Sequence, residues 1–147
     1  MATLTLDAFS DVMDTGSDRL QRVLRKRLSE QGRVFKQAAA RNAAARFRRD
    51  TGATASAVSA RLHRSRMELL MGFDTDKSPG GLIQDTGGTI RPTRGEFLYI
   101  PQADGSFRVA REVTIPATRW LTDAWETLQR TTPAALEGAL SDALGST

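Results

Sequence analysis

Apolar side chains recur at three- and four-residue spacing between about residue 7 and residue 50: Leu20, Val23, Leu24, Leu28, Phe35, Ala38, Ala39 and Ala45, with Arg and Gln between them. That period places them on one face of a helix, either one long helix or two consecutive ones. Ser17 or Asp18 stands where a cap would start the main segment, and Gly32 marks the expected bend or break. From 37 to 49 the chain is dominated by Ala and Arg, both good helix formers, and the small Ala side chains let another element come close. The Thr51-Gly52 step is expected to end the run, because glycine readily takes the backbone conformation that follows a helix.

Beyond Gly52 the period changes. Residues 57 to 63 alternate between two faces and 67 to 73 form a short apolar run, which predicts a pair of strands joined by a basic, exposed turn at 64 to 66. The stretch 75 to 88 is rich in Asp, Gly and Pro and predicts a surface loop, with Leu82 and Ile83 able to anchor a helical turn. Strands are expected at 89 to 91 and 97 to 100, separated by Pro92-Thr93-Arg94-Gly95, and at 107 to 115 after the Ala103-Asp104-Gly105 turn, where Asp-Gly is a strong hairpin signal. Pro116 closes that strand. Trp120, Leu121, Ala124, Trp125 and Leu128 then define an apolar helical stripe over 119 to 130, and Thr132-Pro133 is expected to open a second short helix ending at Ala143 or Leu144. The order predicts an α+β fold: a long N-terminal helix, an antiparallel sheet with a projecting hairpin, and a C-terminal helix packed on the sheet.

A chain of 147 residues is the size of one domain. We divide it into an N-terminal helical extension (1–31), a core (32–130) and a C-terminal helical tail (131–147). With 39% hydrophobic and only 6% aromatic residues the core is thin, which points to burial against neighbours. No stretch approaches the roughly 20 apolar residues that span a bilayer, so no membrane association is expected. Charge adds more. From Arg19 to Arg66 fourteen Lys/Arg face only Glu30 and Asp50, a balance of +12, whereas the rest of the chain has seven basic and fifteen acidic residues, a balance of −8. Such a two-faced chain suits either a phosphate-binding surface or an assembly in which the basic part of one subunit meets an acidic part of the next. A solvated helix face is the bland alternative.

Candidate chemistry is sparse. The absence of cysteine removes disulfides, thiolate metal sites and a cysteine nucleophile. The single histidine, His63, cannot build a metal cluster alone. Asp74, Asp76 and Asp85 lack the glutamate and glycine pattern of a calcium loop and read as solvated loop acids. Pro79-Gly80-Gly81 and Thr86-Gly87-Gly88 lack the Gly-Lys-Ser/Thr ending of a phosphate loop and read as turns. Trp120 and Trp125 belong to the apolar stripe, so packing is favoured over base stacking. No catalytic site, metal or cofactor is expected.

Three segments resemble the phage virion-morphogenesis and tail-completion family, which includes head-tail joining proteins of long-tailed phages and the related protein of Mu-like phages. Asp50-Thr51-Gly52-Ala53-Thr54-Ala55-Ser56 looks like the family's Thr-Gly and short Ser-containing stretch after the long helix. Gln84-Asp85-Thr86-Gly87-Gly88-Thr89-Ile90-Arg91-Pro92-Thr93-Arg94-Gly95, leading to Phe97-Leu98-Tyr99-Ile100-Pro101, is similar to its Gly-Gly-Thr-Ile, basic Pro-containing turn and apolar strand ending in Ile-Pro. Val113-Thr114-Ile115-Pro116-Ala117-Thr118-Arg119-Trp120-Leu121 looks like its Ile-Pro-Ala-Arg-Pro-Phe-Leu approach to the last helix. The likeness covers roughly 32 to 130. This chain departs from it at Asp85-Thr86, where the family commonly has His or Glu before the Gly-Gly, and at Arg119-Trp120, where it has Pro-Phe.

The resemblance implies a structural ring subunit of the virion neck or tail end, made in the host cytoplasm. It implies cyclic assembly, six-fold in preference and twelve-fold nearer the portal, with the tail-tube protein and head-connector (adaptor or stopper) proteins as partners and non-specific DNA contact in the lumen. A hairpin over 89 to 100 could add to a neighbour's sheet edge. Candidate interface residues are Gly87, Gly88, Ile90, Arg91, Arg94, Tyr99, Trp120 and Trp125. Arg41, Arg46, Arg48, Arg49, Arg61, Arg64 and Arg66 are candidates to face DNA or an acidic neighbour. The competing expectation is a small basic DNA-binding protein, marked by steeply salt-dependent binding of the free monomer. A metal-dependent hydrolase using Asp74, Asp76 and Asp85 is the third reading, and it lacks the further ligands a metal would need.

Overall fold

The computed structural model describes residues 2–4, 18–47 and 52–144. It is α+β, in the order β1 (Ala2–Leu4), α1 (Asp18–Arg46), α2 (Ala53–Ser56), β2 (Val58–His63), β3 (Glu68–Phe73), α3 (Gly81–Thr86), β4 (Gly88–Ile90), β5 (Leu98–Pro101), β6 (Phe107–Ala110), β7 (Val113–Ile115) and α4 (Trp120–Leu144). These elements form two compact units, one of residues 1–79 with 120–147 and one of residues 80–119.

In the first unit α1 and α4 run antiparallel. Arg27 bonds Asp142 at 2.9 Å, Thr132 donates to Gln31 at 3.4 Å, and Asn42 donates to the Trp120 carbonyl at 2.9 Å, so ascending positions on one helix meet descending positions on the other. Their facing stripes, Leu20, Leu24, Leu28, Phe35, Ala39 and Ala43 on α1 with Trp120, Ala124, Leu128, Leu136 and Ala139 on α4, are buried together with Val58, Leu69 and Met71 of the sheet. Trp120 closes this core at the sheet end, with its ring edge-on to Phe47 at 5.8 Å and Phe73 at 5.7 Å. Phe35 meets Trp125 in the same geometry at 6.5 Å.

The sheet is antiparallel in the order β1-β3-β2. The pair β2–β3 matches the predicted strands, with Val58 opposite Phe73 and His63 opposite Glu68. The turn between them takes Met67 to a φ of 53°, a left-handed value held by burial of its side chain. Strand β1 has no counterpart in the sequence reading.

Two expected breaks are absent. Helix α1 is continuous through Gly32, which is buried. A Cβ there would lie 3.0 Å from Leu69 Cδ1 and 3.2 Å from Ala60 Cβ, so this glycine lets the sheet press against the helix. Gly costs a helix interior about 1 kcal/mol relative to Ala, and the packing it permits offsets that cost. Gly32→Leu is expected to lose roughly 1–3 kcal/mol through overpacking despite its better helix propensity, read as a lowered urea midpoint at unchanged slope.

Helix α4 likewise runs through Pro133. Proline removes one amide donor and costs about 3 kcal/mol in a helix interior. Around it the hydroxyls of Thr127, Thr131 and Thr132 donate to carbonyls one turn back at 2.8, 3.0 and 2.7 Å. Burial of Leu136 and Ala139 beyond the proline keeps the apolar stripe on α1, and it is this packing that carries the helix on. Both helices therefore cross the divisions expected at 31/32 and 130/131. At the other end Phe47 is already non-helical and Gly52, at φ 77°, precedes α2. The helical expectation for 7–17, the Ser17 cap and Thr51 lie outside the described residues.

Candidate assembly surfaces

The second unit is built around a two-stranded arm. Its base is the ladder β4–β7, with Gly88 opposite Ile115 and Ile90 opposite Val113, and its tip is the ladder β5–β6, with Leu98 opposite Ala110 and Pro101 opposite Phe107. The expected hairpin over 89 to 100 is therefore not formed: β4 and β5 are successive segments on one side of the arm and each pairs with the returning chain. The single strand expected at 107 to 115 is correspondingly two, divided at Arg111-Glu112, because seven residues (91–97) on one side face two on the other and no uniform register can continue across them. Arg91 bridges this irregular segment to Glu112 at 3.1 Å, and the Arg111 guanidinium lies 5.6 Å from the centre of the Phe97 ring.

The base is anchored by α3. The Gln84 carbonyl accepts from the Thr118 amide at 2.8 Å and hydroxyl at 2.7 Å, and the Asp85 carbonyl accepts from the Arg119 amide at 3.0 Å. Gly87 (φ 72°, ψ 172°) turns the chain from α3 into β4 so tightly that a Cβ there would lie 2.7 Å from the Ala117 nitrogen. At the tip Gln102 donates to the Ser106 carbonyl at 2.8 Å, and Gly105 takes φ 82°. The Ser106 hydroxyl and amide both donate to the Asp104 carboxylate, at 2.6 and 3.0 Å, and hold its pKa below the usual carboxylate range. With a lowered pKa, its support for the turn is complete above the ordinary carboxylate range and is lost as pH falls through the lowered value.

The tip ladder is apolar on one face and mixed on the other. Tyr99, Pro101, Phe107 and Val109 share the first through their cross-strand pairing, and Leu98, Ile100 and Ala110 share the second with the exposed Arg108. The first face is open: Tyr99 is 69% exposed, Phe107 65% and Val109 51%. A two-stranded ladder is marginal alone in water, and an exposed apolar face of this kind marks a contact site.

The remaining predicted residues divide clearly. Ile90, Arg91, Arg94 and Tyr99 are exposed on the arm, Gly88 is exposed in β4, and Gly87 is half-buried in its turn. Trp120 is fully buried in the first unit's core, where Phe47 and Phe73 enclose it, so it offers no subunit contact; Trp125 is half-buried against Phe35. Arg41, Arg61, Arg64 and Arg66 are exposed. Arg46 is held by Asp123 at 2.7 Å, while Arg48 and Arg49 lie outside the described residues. His63 is paired with the Ser65 hydroxyl at 3.2 Å. Asp74 accepts from the Asp76 and Lys77 amides in a local turn, whereas Asp85 is a buried residue of the other unit. Among the described residues no group of three or more His, Asp or Glu is placed to hold a metal, and no helix is long and apolar enough to cross a membrane.

Sequence reasoning missed the surface along β2. Sheet order leaves β2 at an edge. The Asp74 amide donates to the Ala57 carbonyl at 2.9 Å, and antiparallel pairs alternate, so the main-chain groups of Val58, Ala60 and Leu62 point away from β3. A groove of about 480 Å³ runs between this strand and α1, floored by Ala40, Ala55, Ala60, Leu62 and Leu69 with Arg33 and Lys36 on its rim. A second of about 430 Å³ is lined by Val58 to Arg61 of β2, Leu70 to Gly72 of β3 and Lys77, and Lys36 and Ala60 line both. Only the edge position of β2, invisible before β1 was placed, would have revealed it.

Comparison with protein-family models, with curated proteins and with solved structures found no match.

Proposed function

We propose that this chain is a non-enzymatic structural subunit of a phage-type particle, assembling into a ring at the head-tail junction as a neck or tail-completion protein. The observation that carries the reading is the β5–β6 tip, a hairpin with one face wholly apolar, on which Tyr99, Phe107 and Val109 stand open. Such a surface is costly in a monomer and stabilising once a neighbour covers it, at about 25 cal/mol per Å² of apolar area removed from water. The resemblance to the tail-completion family adds to this. Its second and third segments, far apart in sequence, meet in one ladder, with Gly88 opposite Ile115 and Ile90 opposite Val113. A closed ring also needs two different surfaces per copy, and this chain's uneven charge suits such head-to-tail contacts.

In the ring, the exposed Arg41, Arg61, Arg64 and Arg66 would suit a lumen that passes DNA without reading its sequence. Those same arginines favour the second reading, a monomer that binds DNA directly. The test is Tyr99→Asp combined with Phe107→Asp. The expected result is loss of the assembled state and particles without joined tails, at unchanged helix content by circular dichroism; normal particles from the double variant would remove the arm from the mechanism.

A further inference from the structure

Resting on that ring reading, we propose that the β5–β6 tip of one copy docks in the groove between α1 and β2, an edge strand among the described residues, on the next copy, making the head-to-tail contact. The two surfaces are complementary in three respects. The tip offers apolar Tyr99, Phe107 and Val109, and the groove floor is apolar at Ala40, Ala55, Ala60, Leu62 and Leu69. The tip turn between Tyr99 and Phe107 carries one charge, the Asp104 carboxylate, and the ladder's Arg108 lies on the face opposite Tyr99, whereas the charged residues lining the first groove are Arg33 and Lys36. The main-chain groups of Val58, Ala60 and Leu62 face outward, so an arriving strand can extend the sheet. A groove of about 480 Å³ is in the size range that encloses a few large side chains.

Burying the tip also explains its composition. A hairpin that needed only to remain soluble would put its polar residues on the open face; here Pro101, Phe107 and Val109 join Tyr99 on that face and the one charge of the two strands, Arg108, is on the other. The contact is heterologous, tip to groove, so copies add in one direction and close into a ring when the rotation per subunit permits.

The cysteine-free sequence makes the test direct. Ala103→Cys at the tip and Gln37→Cys at the groove are purified separately, mixed and mildly oxidised, and the cross-linked peptides are identified by mass spectrometry beside a native-mass measurement. The proposal expects a disulfide between positions 37 and 103 in the mixture and none within either variant alone, with Asp104→Lys lowering the yield several-fold. Self-linking of Ala103→Cys would overturn it in favour of a symmetric tip-to-tip contact. Assembly by native mass without the 37–103 link would overturn the docking site while leaving the ring, and a monomer without the link would overturn both.

Discussion

Replacing Trp120 with alanine is expected to destabilise the first unit by about 3–5 kcal/mol, the range for deleting a buried aromatic side chain. The size follows from its position. Trp120 is fully buried, its ring is held edge-on by Phe47 at the end of α1 and by Phe73 at the end of β3, and it is the first residue of α4. Removing it opens a cavity where both helices and the sheet converge, and the two neighbouring rings, on Phe47 just after α1 and Phe73 at the end of β3, are tethered at its edge. Urea unfolding followed by circular dichroism reads the loss as a lower midpoint. A change within about 0.5 kcal/mol, the range of surface substitutions, would mean that the ring is not packed as described.

Gly87→Ala is the second large effect, expected to cost the other unit about 2–4 kcal/mol. Two independent penalties meet there. The backbone at φ 72° and ψ 172° is a region essentially reserved for glycine, worth roughly 1–3 kcal/mol of strain. The new Cβ would sit 2.7 Å from the Ala117 nitrogen and 3.0 Å from the Ile115 carbonyl oxygen, main-chain atoms that cannot rotate aside as a side chain can. Their displacement breaks the β4–β7 ladder, so amide exchange in 88–90 and 113–115 should accelerate by roughly 30-fold or more. Exchange within threefold of the original protein would show that the turn accommodates a side chain.

The outline of the fold was legible wherever period and punctuation agreed. The α1 stripe from Leu20 to Ala39, the β2–β3 pair, the helical turn at Leu82-Ile83 and the Asp104-Gly105 hairpin all followed from local pattern, whereas Ala43, and not the exposed Ala45, carries the stripe to its end. The errors arose where tertiary packing outweighed a local signal. Gly32 looked like a break because glycine weakens isolated helices, yet its missing side chain is what admits Leu69 and Ala60. Pro133 looked like a helix start, yet Leu136 and Ala139 hold the helix against α1.

The candidate surfaces were legible only in part. Tyr99, Arg91 and Arg94 were placed on a hairpin by their sequence neighbours, but pairing partners depend on register, and the arm pairs 98–101 with 107–110 rather than with 88–90. Phe107 and Val109 were consequently overlooked as partners of Tyr99 on the open face. Trp120 reads as a contact residue in sequence because a stripe shows which residues share a face and not whether that face meets the same chain or another.

The most direct test of the central claim is the native mass of the purified protein, alone and mixed with candidate tail-tube and connector proteins. The ring account predicts a discrete multiple of the subunit, six or twelve copies, formed alone or on meeting those partners. A protein that stays monomeric with all of them, and binds DNA tightly with a steep salt dependence, would contradict it.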